Sequence, residues 1–328
     1  MKRVLVGLVA TLLAAGLAAC TPSPPPPSTP SEKPPLSSLP HIELIAPVNS
    51  SYYWDAVKAG AKAAAKELNV NVSFNGPTKE GDVEGELSLL RAALGHGLVG
   101  IAVAPPLNAM DEVAAALTSA KTAGTPVVSM DHPVVGSDVP ITTVMSNNPW
   151  IGEQTARKLV PLIGGKGKVV VVTNSGDQAA SDRAEAFADY LKKNAPDVEV
   201  ATTDVKAVDR AAAKTAAAPV VAGKPKAIYA TTGELTLGVA DAVKDASAKV
   251  MIVGVDAAPE QVELVKDGTI TGAFAQNPFN IGFQTVKLLV DATAGTMPSG
   301  KTFMSDAVWY TKDNLADSQV ARIIDPTS

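Results

Sequence analysis

An α/β fold of two doubly wound lobes, each built on a parallel sheet, is what this sequence predicts. From His41 onward, short β-branched runs alternate with stretches of helical periodicity. Strands separated by helices of this kind form βαβ units, which give parallel sheets. Ten such strands exceed what one sheet accommodates comfortably, so we expect two sheets, with the division near Ser146–Pro149.

The strands and helices follow from hydrophobic spacing and from glycine and proline punctuation. The predicted strands span residues 42–47, 70–74, 99–104, 126–130, 141–145, 168–172, 198–203, 227–230, 250–255 and 271–275. The first helix is predicted from an apolar stripe at helical spacing, formed by Trp54, Val57, Ala61, Ala64 and Leu68. Further helices are predicted over 87–94, 109–123, 151–163, 182–194, 211–222, 235–246 and 281–294.

The N-terminus carries the pattern of an export signal. Lys2 and Arg3 precede an almost continuous apolar run, and small residues then lead to Cys20, the single cysteine of the chain. A lone cysteine is usually a buried, inert thiol, but the ending Leu17–Cys20 resembles a lipobox. We therefore predict that 1–19 is a signal peptide and that Cys20 carries lipid such as palmitate. This places the protein on the outer face of the cell membrane or in the periplasm.

Residues 20–40 form a predicted tether between the lipid and the folded part. Nine of the twenty residues from Thr21 to Pro40 are proline, which favours extended polyproline II. Such a segment reaches about 60 Å at ~3.1 Å per residue. No later stretch has 18 consecutive apolar residues, so we predict no further membrane span.

Charge and motif content exclude several classes of function. The net charge is −5, and removing the two cations of the signal leaves −7, without any basic stripe. Nucleic acid is therefore an unfavourable partner. The sequence has no G-x-S-x-G or H-E-x-x-H motif, and three histidines with one lipidated cysteine offer neither a zinc site nor a thiolate nucleophile. We predict no catalytic residue, no metal and no cofactor.

Polar and aromatic residues cluster after the predicted strands, where ligands bind in open parallel sheets. The predicted binding residues are Ser51, Tyr53, Trp54, Asp131, His132, Arg183, Thr232, Asp256 and Gln276. Carboxylates accept hydrogen bonds from vicinal hydroxyls, Arg and Gln donate them in planar forks, and rings cover C–H faces. The set therefore suits a sugar or polyol.

Each of these residues also has a purely structural interpretation. Tyr53 and Trp54 fit the cap of a core, and Asp131 and Asp256 fit turn or N-cap positions. Arg183 fits an exposed helix position, and His132 fits an ordinary loop.

Several segments, in order, resemble the periplasmic sugar-binding proteins of the ribose-binding type. The resemblance runs from about Ile42 to Asn314 and rests on Ser51–Trp54, Gly100–Pro105, Gly124–Asp131, Arg183 with Phe187, Val253–Asp256 and Ala275–Pro278. It implies a type I periplasmic binding protein fold: lobes of 41–146 plus about 277–303 and of 147–276 plus about 304–328, joined by three crossings near Ser146, near Gln276 and near Phe303–Asp306. The hinge residues would be Ser146, Asn147 and Gln276.

The resemblance also implies partners and marks departures. A monomer would close on its ligand and dock on an ABC permease with a cytoplasmic ATPase. The family has an Arg where His132 stands, an Asn-Asp pair at Thr232-Gly233, and at times a ring at Val208. The run Asn75–Thr78 resembles branches that bind other pentoses, polyols or the autoinducer-2 furanoside.

Three functions are compatible with the sequence. The first is an extracytoplasmic solute-binding lipoprotein that delivers a monosaccharide or polyol to an ABC importer. The second is a sensory receptor, for example for an autoinducer-2-like signal, that feeds a chemoreceptor or kinase. The third is a secreted glycoside hydrolase that uses Asp131 and Asp256 as its carboxylate pair.

Overall fold

The computed structural model describes residues 39–207, 209–296 and 302–325. The predicted signal peptide (1–19), Cys20, almost all of the predicted tether and Val208 lie outside these ranges. None of the helices in the described part is long and apolar enough to cross a membrane.

The described chain forms two six-stranded sheets. The first contains β1 (His41–Ile45), β2 (Asn71–Asn75), β3 (Gly100–Val103), β4 (Val127–Met130), β5 (Pro140–Ser146) and β11 (Phe303–Ser305). The second contains β6 (Gly167–Thr173), β7 (Val198–Asp204), β8 (Ala227–Ala230), β9 (Met251–Val255), β10 (Gly272–Gln276) and β12 (Ala307–Tyr310). The strand orders are β11-β5-β4-β3-β1-β2 and β12-β10-β9-β8-β6-β7. All pairings are parallel except that of β10 with β12.

Helices cover both faces of each sheet. They are α1 (Tyr52–Leu68), α2 (Val83–Leu94), α3 (Met110–Ala123), α4 (Asn148–Leu162), α5 (Gln178–Asn194), α6 (Arg210–Ala222), α7 (Gly233–Asp245), α8 (Pro259–Lys266), α9 (Pro278–Thr293) and α10 (Ser318–Ile324). Each sheet has an apolar core on both faces, since its central strands are buried runs such as Val169–Val172. The predicted class, two doubly wound parallel-sheet lobes, is confirmed.

All ten predicted strands are present, each bounded within two residues of its predicted ends. Four further elements were not predicted: β11, β12, α8 and α10. The two strands have only three and four residues, too few to display a period. The two helices have eight and seven residues, which is short for a pattern repeating every 3.6 residues.

The chain changes sheet three times in the described residues, after Ser146, after Gln276 and at Asp306. The first two changes lead into helices whose N-caps are Asn147 and Asn277, each of which accepts a hydrogen bond from a backbone N–H three residues on. The third falls between β11 and β12. This crossing lies at the end of the predicted range Phe303–Asp306, because all of β11 belongs to the first sheet.

Small residues bring helices of the same lobe into close contact. A Cβ built on Gly152 of α4 would lie 2.1 Å from the carbonyl oxygen of Arg183 on α5. In the other lobe, a Cβ on Gly282 of α9 would lie 1.9 Å from the carbonyl oxygen of Val57 on α1. Since backbone atoms cannot move aside as a flexible side chain can, these positions admit only glycine without a shift of a whole helix.

Gly152→Ala is expected to lower stability and to displace Arg183. Overpacking of this kind costs about 1–3 kcal/mol, which corresponds to a melting temperature lower by about 5 °C. Differential scanning calorimetry checks it. Gly97→Ala is the matched control, because that exposed glycine has nothing within 4 Å of an added Cβ. Equal melting temperatures for the two variants would contradict the contact.

Candidate functional site

The nine predicted binding residues come together around one cleft of about 480 Å³. Both lobes line it, with residues that follow strands of the first and of the second sheet. Their convergence follows from topology, because the carboxyl ends of parallel strands share one edge of each sheet. Whether all nine contact a ligand stays a prediction.

A hydrogen-bonded chain forms the first lobe's wall of the cleft. The Tyr53 hydroxyl donates to Asp131 Oδ1 at 2.9 Å, and Asp131 Oδ2 lies 3.3 Å from His132 Nδ1. His132 Nε2 lies 2.6 Å from the carbonyl oxygen of Pro105. A carbonyl only accepts, so Nε2 carries a proton, and a neutral ring would face the carboxylate with a bare Nδ1. The geometry therefore favours a doubly protonated His132 paired with an ionised Asp131.

The pKa values of Asp131 and His132 move in opposite directions, and both shifts favour the ion pair. Burial alone would raise the pKa of Asp131, but the hydrogen bond and charge of His132 and the Tyr53 hydroxyl outweigh it, and the pKa falls below its usual value. Burial alone would lower the pKa of His132, but Asp131 and the Pro105 carbonyl raise it. His132 thus supplies a cation at the position where the family that the sequence resembles carries Arg.

The second lobe holds its carboxylate by a different set of donors. Asp256 Oδ1 accepts from Gln276 Nε2 at 2.5 Å, and Oδ2 accepts from the backbone N–H of Gly233 at 2.8 Å. The Asp256 carbonyl accepts from the hydroxyl of Tyr310 and from Gln261 Nε2. Both oxygens of the carboxylate are therefore fixed in orientation, which pre-organises them for a ligand.

Arg183 is buried against the cleft rather than exposed on its helix. The side chain is 4% exposed, Nε donates to Asn148 Oδ1 at 3.0 Å, and Nη1 donates to the Thr231 carbonyl at 2.8 Å. It forms no ion pair with a described residue. A guanidinium held by two neutral acceptors keeps its charge available for the cleft.

Asp131 and Asp256 occupy equivalent places in the two lobes and share a strained backbone. Their φ angles are 67° and 74°, in the left-handed region. Each amide donates to the neighbouring strand, to the carbonyls of Val144 and Phe274. Neither Asp is an N-cap of a described helix. Non-glycine residues with positive φ cluster at functional sites, and Asp tolerates this region better than most residues.

Structural roles account for part of the predicted set. Ser51 and Thr232 are the N-caps of α1 and α7, and their hydroxyls accept from the backbone N–H groups of Trp54 and Leu235. Trp54 is 5% exposed and packs in the core of the first sheet. Its ring meets that of Tyr53 edge to face at 80°. The two rings therefore do not present parallel faces. Trp54 is a core residue, as its structural interpretation predicts, and it also lines the cleft.

A family model described as a periplasmic binding protein domain matches residues 42–297. The chain belongs to this family. It is 30% identical over 257 residues to the D-allose-binding periplasmic protein of Escherichia coli, covering 74% of this chain and 81% of that relative. It is 27% identical over 248 residues to the ribose import binding protein of Haemophilus influenzae, covering 74% and 81%.

Solved structures of the periplasmic binding protein family share the fold. An ABC transporter solute-binding protein from Agrobacterium vitis, bound with α-D-tagatopyranose, superposes with a TM-score of 0.78 at 26% identity and covers 87% of this chain and 99% of its own. The resemblance drawn from the sequence and the type I periplasmic binding protein fold are thereby confirmed.

The sequence analysis missed four acidic residues of the cleft. Glu80, Glu86, Asp177 and Glu234 line it beside the predicted set. Asp177 is the N-cap of α5, and Glu86 and Glu234 lie in first helical turns, where acids are common because they complement the helix dipole. That ordinary explanation hid their place in the cleft.

Residues 295–302 spell the pattern G-x-x-x-x-G-K-T of a phosphate-binding loop, so the expectation that the sequence lacks this motif is wrong. That loop requires a strand before it and a helix after it. Here α9 precedes the segment and β11 follows it, and 297–301 lie outside the described residues. The order of elements is reversed, so the pattern carries no argument for nucleotide binding.

Proposed function

We propose that this protein binds a neutral monosaccharide or polyol outside the cytoplasm and delivers it to an ABC importer. The observation that carries the proposal is the cleft itself, where an Asp from each lobe and Arg183 converge with oriented oxygens and donors. Such groups match a ring of hydroxyls, each both donor and acceptor. The relatives named for allose and ribose, and the tagatose-bound structure, support the same ligand class.

We propose binding without catalysis. Glycoside hydrolysis needs one carboxylic acid able to donate its proton. The Asp131 carboxylate faces a cationic His132, and the Asp256 carboxylate accepts two hydrogen bonds. The pairing with His132 favours the ionised form of Asp131, which accepts hydrogen bonds from a ligand and does not protonate a leaving group.

Three of the further acids of the cleft indicate the charge of the ligand. None of Glu80, Asp177 and Glu234 takes part in an ion pair within the described residues. They come from both lobes. Burial, followed by the charges of Asp131, Glu234 and Asp177, raises the pKa of Glu80. An anionic sugar would add a further like charge to this cleft.

Isothermal titration calorimetry with a sugar panel tests the function and the charge preference together. The panel contains D-allose, D-ribose, D-tagatose, D-glucose, D-galactose and matched uronates of the last two. We expect micromolar or tighter binding of at least one neutral sugar, and at least about 10-fold weaker binding of a uronate than of its parent. No heat from any neutral sugar of the panel would count against the proposed function.

We also propose lipid attachment at Cys20, for which the sequence of the signal and lipobox is the support. Cys20→Ser should move the protein from the membrane fraction to the released fraction and abolish labelling with an alkyne analogue of palmitate. The Ser variant keeps the side-chain size and the signal. Unchanged fractionation and labelling would contradict the assignment.

We propose Ser146, Asn147 and Gln276 as the hinge residues. Next to Gln276 in the chain, Asn277 Nδ2 donates a hydrogen bond to Asp306 Oδ1 at 2.8 Å.

A further inference from the structure

Glu86 is an enclosed carboxyl at the cleft with no protein partner for one of its oxygens. The residue lies in the first turn of α2, is 3% exposed, and lines the cleft near His132 and Glu80. Its Oε1 is enclosed without a hydrogen-bond partner, and no described residue donates to its other oxygen. A buried polar atom left unpaired lowers stability, so native proteins retain few of them without a reason.

The surroundings of Glu86 favour the neutral acid. Burial raises its pKa to about 8, with an opposing effect of the His132 charge and a smaller reinforcing effect of Glu80. The charged groups that face it are these two, one on the loop after β4 and the other on the segment before α2. Both ring nitrogens of His132 are engaged, with Asp131 and with the Pro105 carbonyl. A neutral carboxyl has an O–H to donate.

We propose that Glu86 is a further ligand-binding residue, which donates a hydrogen bond as a neutral acid to an oxygen of the bound sugar. The inference rests on the proposed function. It adds a donor to a cleft whose other acids accept, so that a hydroxyl of the ligand can accept from Glu86 while donating to a neighbouring carboxylate. A hydroxyl group carries out both tasks at once, and a deoxy position carries out neither.

The alternative is a purely structural acid that supports the start of α2 without contact to ligand. The two interpretations predict different effects of Glu86→Gln and Glu86→Ala on ligand binding. Gln keeps the shape and a donor that never ionises, whereas Ala removes both. Glu84→Gln is the matched control, since Glu84 lies in the same helical turn but is exposed.

The test measures affinity by calorimetry for the panel sugar that binds tightest, at about pH 6 and about pH 9, straddling the range where Glu86 ionises. We expect Glu86→Ala to weaken binding by about 10-fold at the lower pH. Glu86→Gln should keep wild-type affinity within about 3-fold there. The affinity ratio of Glu86→Gln to wild type should then rise by about 5-fold or more toward the higher pH. Because His132 titrates in every variant, its effect on affinity cancels in this ratio.

Monodeoxy analogues of the same sugar locate the contact. For one position, removing the hydroxyl should cost the wild type about 10-fold and cost Glu86→Ala little, a coupling that only direct contact produces. Equal affinities of wild type, Glu86→Ala and Glu86→Gln at both pH values, or no coupled position, would overturn the inference and leave the proposed function intact. Absence of any wild-type binding would instead overturn the proposed function.

Discussion

Asp131→Asn is expected to weaken sugar binding by about 100-fold, or ~2.7 kcal/mol, with little change in stability. Asn fills the same space, and like Asp it tolerates the positive φ of 67° at this position. What it removes is the negative charge, and with it the charge-assisted hydrogen bonds to ligand hydroxyls and the counter-ion of His132. Titration calorimetry measures the loss.

The choice of Asn over Ala follows from the backbone. Ala at a positive φ adds strain that would lower stability by itself, so a loss of binding in Asp131→Ala would mix two causes. Asp138→Asn is the control, because that exposed carboxylate lies on the same inter-strand loop and pairs with Lys121. Binding by Asp131→Asn within about 3-fold of the control would refute a direct role for the carboxylate.

The strand-end residues could be predicted from the sequence because two simple rules place them. β-branched runs bounded by glycine and proline fix where strands end, and parallel topology brings those ends together. Asp131 and Asp256 follow from these rules alone, whereas Arg183 lies on the helix α5 that follows β6. The rules do not say whether a hydroxyl at a strand end caps a helix, as Ser51 and Thr232 do, or is free for a ligand.

What could not be predicted depends on contacts distant in sequence. Glu86 has the ordinary appearance of an acid in a first helical turn, and only the packing of α2 over the cleft encloses it. The two short edge strands β11 and β12, on either side of the third crossing, depend on partners, β5 and β10, that lie far back in the chain. Edge strands of three or four residues are defined by these partners rather than by their own pattern.

Glu86→Gln is expected to stabilise the protein at alkaline pH and to leave it unchanged at acidic pH. The pKa of Glu86 rises from 4.5 in the unfolded chain to about 8 in the fold. Between these values the folded protein keeps a proton that the unfolded chain releases, so the free energy of unfolding falls as the pH rises. The fall is at most about 1.4 kcal/mol per pH unit.

Gln cannot ionise, so the free energy of unfolding of Glu86→Gln does not fall in this way as the pH rises. Wild type and variant should melt within about 1 °C of each other near pH 5, and the variant should melt about 5 °C higher near pH 8.5. Differential scanning calorimetry over this range measures the difference. The exposed Glu84→Gln removes the same charge from the same turn and should show no such trend. Because His132 and Asp131 titrate in every variant, only the difference in melting temperature between Glu86→Gln and wild type isolates the enclosed acid. If that difference did not vary with pH, Glu86 would ionise as freely in the fold as in the unfolded chain.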